Sequence, residues 1–349
     1  MRNNWIDSLK GMAIILVVIG HLSTLFSGLV FYKLNQYIYS FHMPLFFFIS
    51  GYLINFEKYM NIEKTYFKKR VYSLIIPYFF FSAIAYLFYI TMDYLYQPQI
   101  HNIELFEKSV VFNLYAIFCS ANGYLLDTPL WFLPCLFITE ILFFISRKNL
   151  KENYQLLALV IFFSLTGFLY STYIPLRMPW SFDIALTGVV FYLAGHFFKK
   201  NYETVFFRKR YIFIFVLFLI HIMSSFTNSR VDMYKLIYNN YFLFYLSAFS
   251  GILVYFYIFK RIKPSKILQF YGRNSLIILG FHYIIISTLK YTLPVLFSHL
   301  NLKISETLFF IISIFLVLLS LIPAIVITNR YFPCILGKKA EKPHILAVG

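Results

Sequence analysis

The chain has 349 residues, 60% of them hydrophobic and only 13% charged, with 44 Phe and 30 Tyr. Even large soluble domains must coat themselves with polar side chains, so a water-soluble globular protein is excluded and an all-α, polytopic membrane protein is predicted. The formal charge of +17 would suit nucleic acid if it were gathered into one patch; it falls instead in short loops between apolar runs, so it reports membrane topology and no nucleic-acid partner is predicted.

A span needs ~20 mostly apolar residues. On that rule ten are predicted, roughly at 9–29, 37–56, 71–95, 127–146, 154–171, 181–198, 211–226, 237–259, 275–293 and 305–328, the sixth and seventh being short. The apolar patch Val110–Phe118 reads as a re-entrant or interfacial helix. The first segment is too long for a cleaved signal peptide and lacks a small-residue cleavage site. No repeat and no Gly/Ser linker divides the sequence, so one transmembrane domain is expected over 1–349, with its core at 7–330 and a cytoplasmic tail at 331–349. With both termini on one side, that side collects 24 of the 31 Lys and Arg residues, which marks it as the cytoplasm. The three cysteines, Cys119, Cys135 and Cys334, form neither a CxxC pair nor an even framework.

Ionisable residues inside apolar runs are functional candidates by default. Lys10 opens the first span and His21 lies eleven residues on. Eleven steps of ~100° return to within about 20° of the same helix face, about 16 Å further along the axis. A cation at the membrane surface and an imidazole near mid-membrane on the same face suit a long ligand with an anionic head and a reactive tail. The plainer alternative is a snorkelling lysine and a histidine that bonds a neighbouring helix, and spacing alone does not choose. His42 enters the second span from outside, with Pro44 near the helix start, where a missing N–H costs little. Glu140 lies on the inner half of the fourth span and needs a partner there, either structural or a catalytic histidine, with the second preferred. His196 beside Lys199 and Lys200 reads as a helix-end cation, His221 as a hydrogen-bonded core residue, and His282 as a polar group at the inner third of the ninth span. His21, His42 and Glu140 would make a His-His-carboxylate set, but nothing resembles a ligand motif such as HExxH, so no metal is predicted.

The matching pieces run in order along nearly the whole chain. They are Trp-Ile-Asp-Ser-Leu-Lys-Gly-Met-Ala-Ile with Lys10-x10-His21, and Phe-His-Met-Pro-Leu-Phe-Phe-Phe-Ile-Ser-Gly-Tyr around His42. Further on come Lys69-Arg70 with Pro77-Tyr78, Leu130-Trp131-Phe132-Leu133 leading to Glu140, and Gly272-Arg273-Asn274-Ser275 leading to His282. On these the sequence resembles the acyltransferase 3 membrane O-acyltransferases, and among them the fucose 4-O-acetylase-like branch. The resemblance implies a ten-helix core, a cytoplasmic acyl-CoA donor, and an acceptor, often a sugar hydroxyl, reached from the membrane or the outer face. It makes Lys10 the basic residue and His21 the essential histidine of an R/K-x10-H motif. An Arg-x-x-Arg motif common before the third span is matched at Arg70 but not at Ser73, so Lys68 or Lys69 would take over its phosphate contacts. The C-terminal esterase-like domain of some relatives is not expected, which leaves the transfer to the membrane core.

The expected activity is acetyl transfer from acetyl-CoA to a hydroxyl of a bacterial surface glycan or its lipid-linked precursor, in the bacterial cytoplasmic membrane. Lys10, Arg70 and Arg273, with Lys69 and Asn274 beside them, would hold the CoA phosphates at the cytoplasmic face. His21 would act as general base or carry the acetyl group itself, and Glu140 or His42 would orient its imidazole as a triad's third member does. Asn274 and Ser50 are oxyanion donors by residue type only. The expected partners are acetyl-CoA, the glycan acceptor and membrane lipids; the oligomeric state, a homo-oligomer included, stays open. Two alternatives remain: transfer of another acyl group such as succinyl, and a transporter or flippase of a lipid-linked sugar, although the repeat symmetry common in transporters is not visible.

Overall fold

The computed structural model describes residues 3–96, 110–120, 125–150, 152–208, 211–299 and 304–337. Among them no β-strand forms; one isolated bridge joins Asp232 and Ile237. The chain begins with α1 (Asn4–Ser23), α2 (Leu29–Tyr39) and α3 (His42–Leu53). Two short helices, α4 (Phe56–Tyr59) and α5 (Glu63–Arg70), lead through a π-helical turn at Val71–Ile75 into α6 (Ile76–Tyr96). Then follow α7 (Val110–Cys119), α8 (Phe132–Asn149), α9 (Asn153–Tyr173), α10 (Phe182–Phe197), α11 (Glu203–Phe206), α12 (Tyr211–Thr227) and α13 (Tyr241–Arg261). Finally come α14 (Lys266–Arg273), α15 (Ser275–His299) and α16 (Glu306–Tyr331).

Eight of the described helices are long and apolar enough to cross a membrane, and shorter apolar helices accompany them. The protein is therefore an all-α, multi-pass membrane protein. The helix at Val110–Cys119 stands where the short apolar patch was predicted. Two predicted spans are changed. The first, expected at 9–29, ends at Ser23. The second, expected at 37–56, is divided: α2 and α3 meet at Ser40–Phe41, and the 12 residues of α3 reach only about 18 Å against the ~30 Å of a bilayer core. The reason lies in two amides on α2. Asn35 donates to the Gly20 carbonyl (2.8 Å) and the Ser23 hydroxyl (3.0 Å), and Gln36 donates to the carbonyls of Ser225 (3.1 Å) and Phe226 (3.3 Å). They satisfy carbonyls left open at the ends of α1 and α12, so α2 is a capping helix and the apolar run of α3 begins late.

Two glycine-lined seams bring helices into backbone contact. A Cβ at Gly11 would overlap the Leu268 backbone, and one at Gly272 the backbone of Asp7, so α1 and α14 touch main chain to main chain. Arg273 closes this seam by donating to Asp7 (3.0 Å). Gly51 and Gly195 do the same for α3 and α10, against Tyr192 and Phe48 respectively. Without a hydrophobic force between helices in lipid, small residues that permit close packing decide which helices pair. The seams leave α1, α3, α8 and α15 standing around a space they do not fill.

Candidate functional site

That space is a cavity of about 540 Å³. Lys10, Ile14 and Val17 of α1 face it at helical spacing i, i+4, i+7, and Leu53, Ser50, Phe46 and Met43 of α3 do likewise. Ser275, Leu276 and Leu279 of α15 and Phe132, Leu133, Leu136 and Glu140 of α8 complete most of the wall. One end is cationic, with Lys10, Lys58, Lys69 and Arg70 on the lining and Lys58 and Lys69 exposed. Arg70 is the residue before the π turn. A π turn widens the helix and re-aims its neighbours; here Arg70, Ser73 and Leu74 all reach the cavity wall.

At this end Glu140, 1% exposed, is gripped by the Arg70 fork through both carboxylate oxygens and accepts from Tyr66 Oη (3.1 Å). The partner that Glu140 requires is therefore Arg70, not a histidine, and its place as an orienter of His21 is corrected. An arginine fork satisfies both carboxylate oxygens at once, which an imidazole cannot do. The grip also means that Arg70 does not offer its whole charge to a ligand.

Beyond the lined cavity, further along the same helices, stands a cluster of rings that do not line it. Continuing the α1 stripe Lys10–Ile14–Val17 by four residues gives His21; continuing Ser275–Leu279 on α15 by three gives His282; Met43 on α3 adjoins His42. The His21 ring centroid lies 5.2 Å from that of His282, 5.6 Å from Tyr283 and 6.3 Å from Tyr39, and Tyr39 in turn lies 4.8 Å from His42. His42 donates Nδ1–H to the Ile38 carbonyl (2.8 Å), so its Nε2 carries the lone pair. The Arg230 guanidinium sits 4.5 Å over the Tyr39 ring and pairs with Asp232 (3.3 Å). Burial pushes the Asp232 carboxyl up, with Arg230 opposing.

The same-face reading of Lys10 and His21 holds, since α1 is continuous between them, but His21 stands in the last turn of its helix instead of the middle. Counting residues into an apolar run placed His21 and His282 at different depths; the packing of α15 against α1 brings their rings together. Arg273 and Asn274 do not line the cavity. Arg273 is engaged by Asp7 and Gln269 (2.8 Å), and Asn274 accepts from Asn329 (2.9 Å), so both brace the α1–α14–α16 corner. Ser50 does line the cavity, with its hydroxyl turned to the Phe46 carbonyl (2.9 Å). Lys58 was missed as a site residue: of the basic run at 57–70, the motif reading reached only Lys68, Lys69 and Arg70, and Lys58 was counted for topology alone. Arg230 was missed because only tertiary packing brings it over Tyr39. Among the described residues no group of three or more His, Cys, Asp or Glu is arranged to hold a metal ion.

A family model described as an acyltransferase domain matches residues 3–328, nearly the whole chain. The chain thus belongs to the acyltransferase 3 family and is a membrane acyltransferase. No curated protein and no solved structure matches it significantly.

Proposed function

We propose that the protein transfers an acetyl group from acetyl-CoA, entering from the cytoplasm, to a hydroxyl of a bacterial surface glycan or its lipid-linked precursor. The observation that carries this reading is the cavity's polarity: cations at one end, an apolar wall, and beyond it His21 and His282 one helical step on, with His42 beside Met43. Such a passage suits a donor with an anionic head, a thin arm and a thioester at its tip. Lys10, Lys58 and Lys69 hold the phosphates by charge-assisted hydrogen bonds, with Arg70 braced by Glu140 at their side. The acceptor approaches from the far side, past Tyr39, Tyr283 and Arg230.

His21 is the base. It takes the proton of the acceptor hydroxyl while the oxygen attacks the thioester carbonyl; the tetrahedral species collapses, the C–S bond breaks, and the leaving thiolate takes that proton back as coenzyme A. General-base assistance of this kind is worth ~10²–10⁴ in rate.

The test is a comparison of surface glycans from cells with and without the gene, by ester content and mass. Loss of one acetyl ester is expected. Loss of a whole glycan with unchanged esters on the remainder would point to a flippase, and loss of a heavier ester to another acyl donor.

A further inference from the structure

His282 is fully buried (0% exposed). Its Nδ1 lies 2.9 Å from the Ile278 carbonyl oxygen and 3.1 Å from that of Leu279. A carbonyl only accepts, so Nδ1 carries the proton and Nε2 of the neutral ring is a lone-pair acceptor. This Nε2 has no hydrogen-bond partner among the described residues, and a buried acceptor left unpaired is costly.

The nearest ring that can answer it is His21, at 5.2 Å between centroids and a 54° tilt. An imidazole nitrogen stands about 1.2 Å from its ring centre, so facing nitrogens at this separation fall near hydrogen-bond length. The His21 ring turns about χ2, a broad torsion, which brings its nitrogens round toward its neighbours at little cost.

His221 is the control within the same molecule. Its Nδ1 bonds the Ser247 carbonyl (2.9 Å) and its Nε2 is likewise buried without a partner. Its ring, however, packs on Tyr37 and Phe41, and the Tyr37 hydroxyl is already engaged with Tyr255 (2.7 Å). An unpaired imidazole nitrogen is therefore not by itself a signal here; an unpaired nitrogen on a ring packed beside a second imidazole is.

We propose that His282 is the positioning residue of His21: its Nε2 accepts the N–H of the His21 ring, which fixes the His21 nitrogen that meets the acceptor hydroxyl and supports the imidazolium formed during transfer. The assignment rests on His21 being the base. The hydroxyl proton travels to the other His21 nitrogen and on to the leaving thiolate, and His282 keeps its own proton on Nδ1 throughout. A backbone-anchored neutral histidine thus takes the place that a carboxylate fills in a serine-protease triad.

Full-length protein in lipid nanodiscs tests this with His282→Leu, His282→Gln and His21→Ala. Ring ¹⁵N resonances of His21, identified by their loss in His21→Ala, should show one tautomer in the unsubstituted protein and a mixture in His282→Leu. With acetyl-CoA as donor and octyl β-D-glucoside as acceptor, kcat should fall about 10- to 100-fold in His282→Leu, the effect of one lost hydrogen bond to a charged ring. KM for acetyl-CoA should hold within about twofold, and glutamine, whose side-chain oxygen still accepts, should recover part of the loss. An unchanged His21 tautomer in His282→Leu overturns the assignment, as does a loss of thermal stability at unchanged kcat. If the leucine variant fails to fold, the unsubstituted protein decides: the Nε2 resonance of His282 should be displaced from that of unbonded His221, and coincidence of the two overturns the assignment. Full turnover in His21→Ala sinks the base reading itself, whereas a dead His21→Ala beside a normal His282→Leu sinks only the role of His282.

Discussion

At the cationic end of the cavity the buried carboxylate of Glu140 has two partners, Arg70 and Tyr66. At the ring end the buried Nε2 of His282 and both carboxylate oxygens of nearby Asp127 have none among the described residues. Asp127 precedes the turn Thr128–Trp131 that packs on α15, and Tyr283 of α15 touches His21. Both ends carry buried polarity in an apolar protein, and in both it is expensive. The difference is that one end has spent its hydrogen-bonding capacity on itself. A self-satisfied pair holds helices in place; around the reactive imidazole, His282 Nε2 is left to answer His21 and the Asp127 oxygens are left for a donor outside the described residues.

Substituting His21 breaks this comparison most sharply. His21→Ala should lower turnover by ~10²–10⁴ and lower the thermal unfolding midpoint less than Glu140→Ala does, because its ring meets its neighbours through aromatic contacts and its loss strands no charge. Coenzyme A release and unfolding, followed in one preparation, check both halves. Near-normal turnover would erase the distinction between the ends.

The opposite pattern is expected at Glu140. Glu140→Ala leaves the half-buried Arg70 guanidinium, 25% exposed, without its carboxylate, read as a lower unfolding midpoint. The double variant Arg70→Met/Glu140→Leu should regain much of that stability. Wild-type stability together with lost turnover in Glu140→Ala would return Glu140 to the chemistry.

Smaller effects belong to the lysines. Lys10→Ala should weaken coenzyme A binding by about 1.5–3 kcal/mol, the range for hydrogen bonds to charged groups, and the exposed Lys58 and Lys69 by about 0.2–1 kcal/mol each. Isothermal titration with coenzyme A measures all three. Unchanged affinity in every variant would remove the phosphates from this end.

The smallest effect is a pH slope. Burial raises the Asp232 carboxyl in the folded state, so the fold binds this proton more tightly than the open chain does. Its contribution to stability is complete below the open-chain value of about 3.9 and is lost as pH rises through the folded value. Asp232→Asn should flatten the decline of stability with pH relative to the unsubstituted protein; an equal or steeper slope would show that Arg230 outweighs burial.

The spans were legible because lipid imposes one rule, length of apolar run, that sequence displays directly. Where a second rule intervened, reading failed. Asn35 and Gln36 lie just outside and at the edge of the span expected at 37–56, and nothing local shows that their amides reach Gly20 and Ser225. The α1 stripe was legible from helical period alone, so Lys10 and His21 were found. The partner of Glu140 was not, because Arg70 is 70 residues away and the family resemblance had assigned it to phosphate. His282 was noticed as a buried polar residue but not as a neighbour of His21, since depth along a run says nothing about where another run ends.

The α1–α14 seam has a consequence for biosynthesis. Asp7 and Arg273 are 266 residues apart, so at ~5–20 residues per second of synthesis α1 waits about 13–50 s for the helix it packs against. During that interval the groove at Gly11 is open to whatever helix lies beside it. Later helices must be threaded before the first can take its final seat, which makes completion of the active geometry a late event and interrupted synthesis a source of misassembled chains. A chain cut anywhere between His21 and Lys266 would contain His21 but lack the helix that seats it.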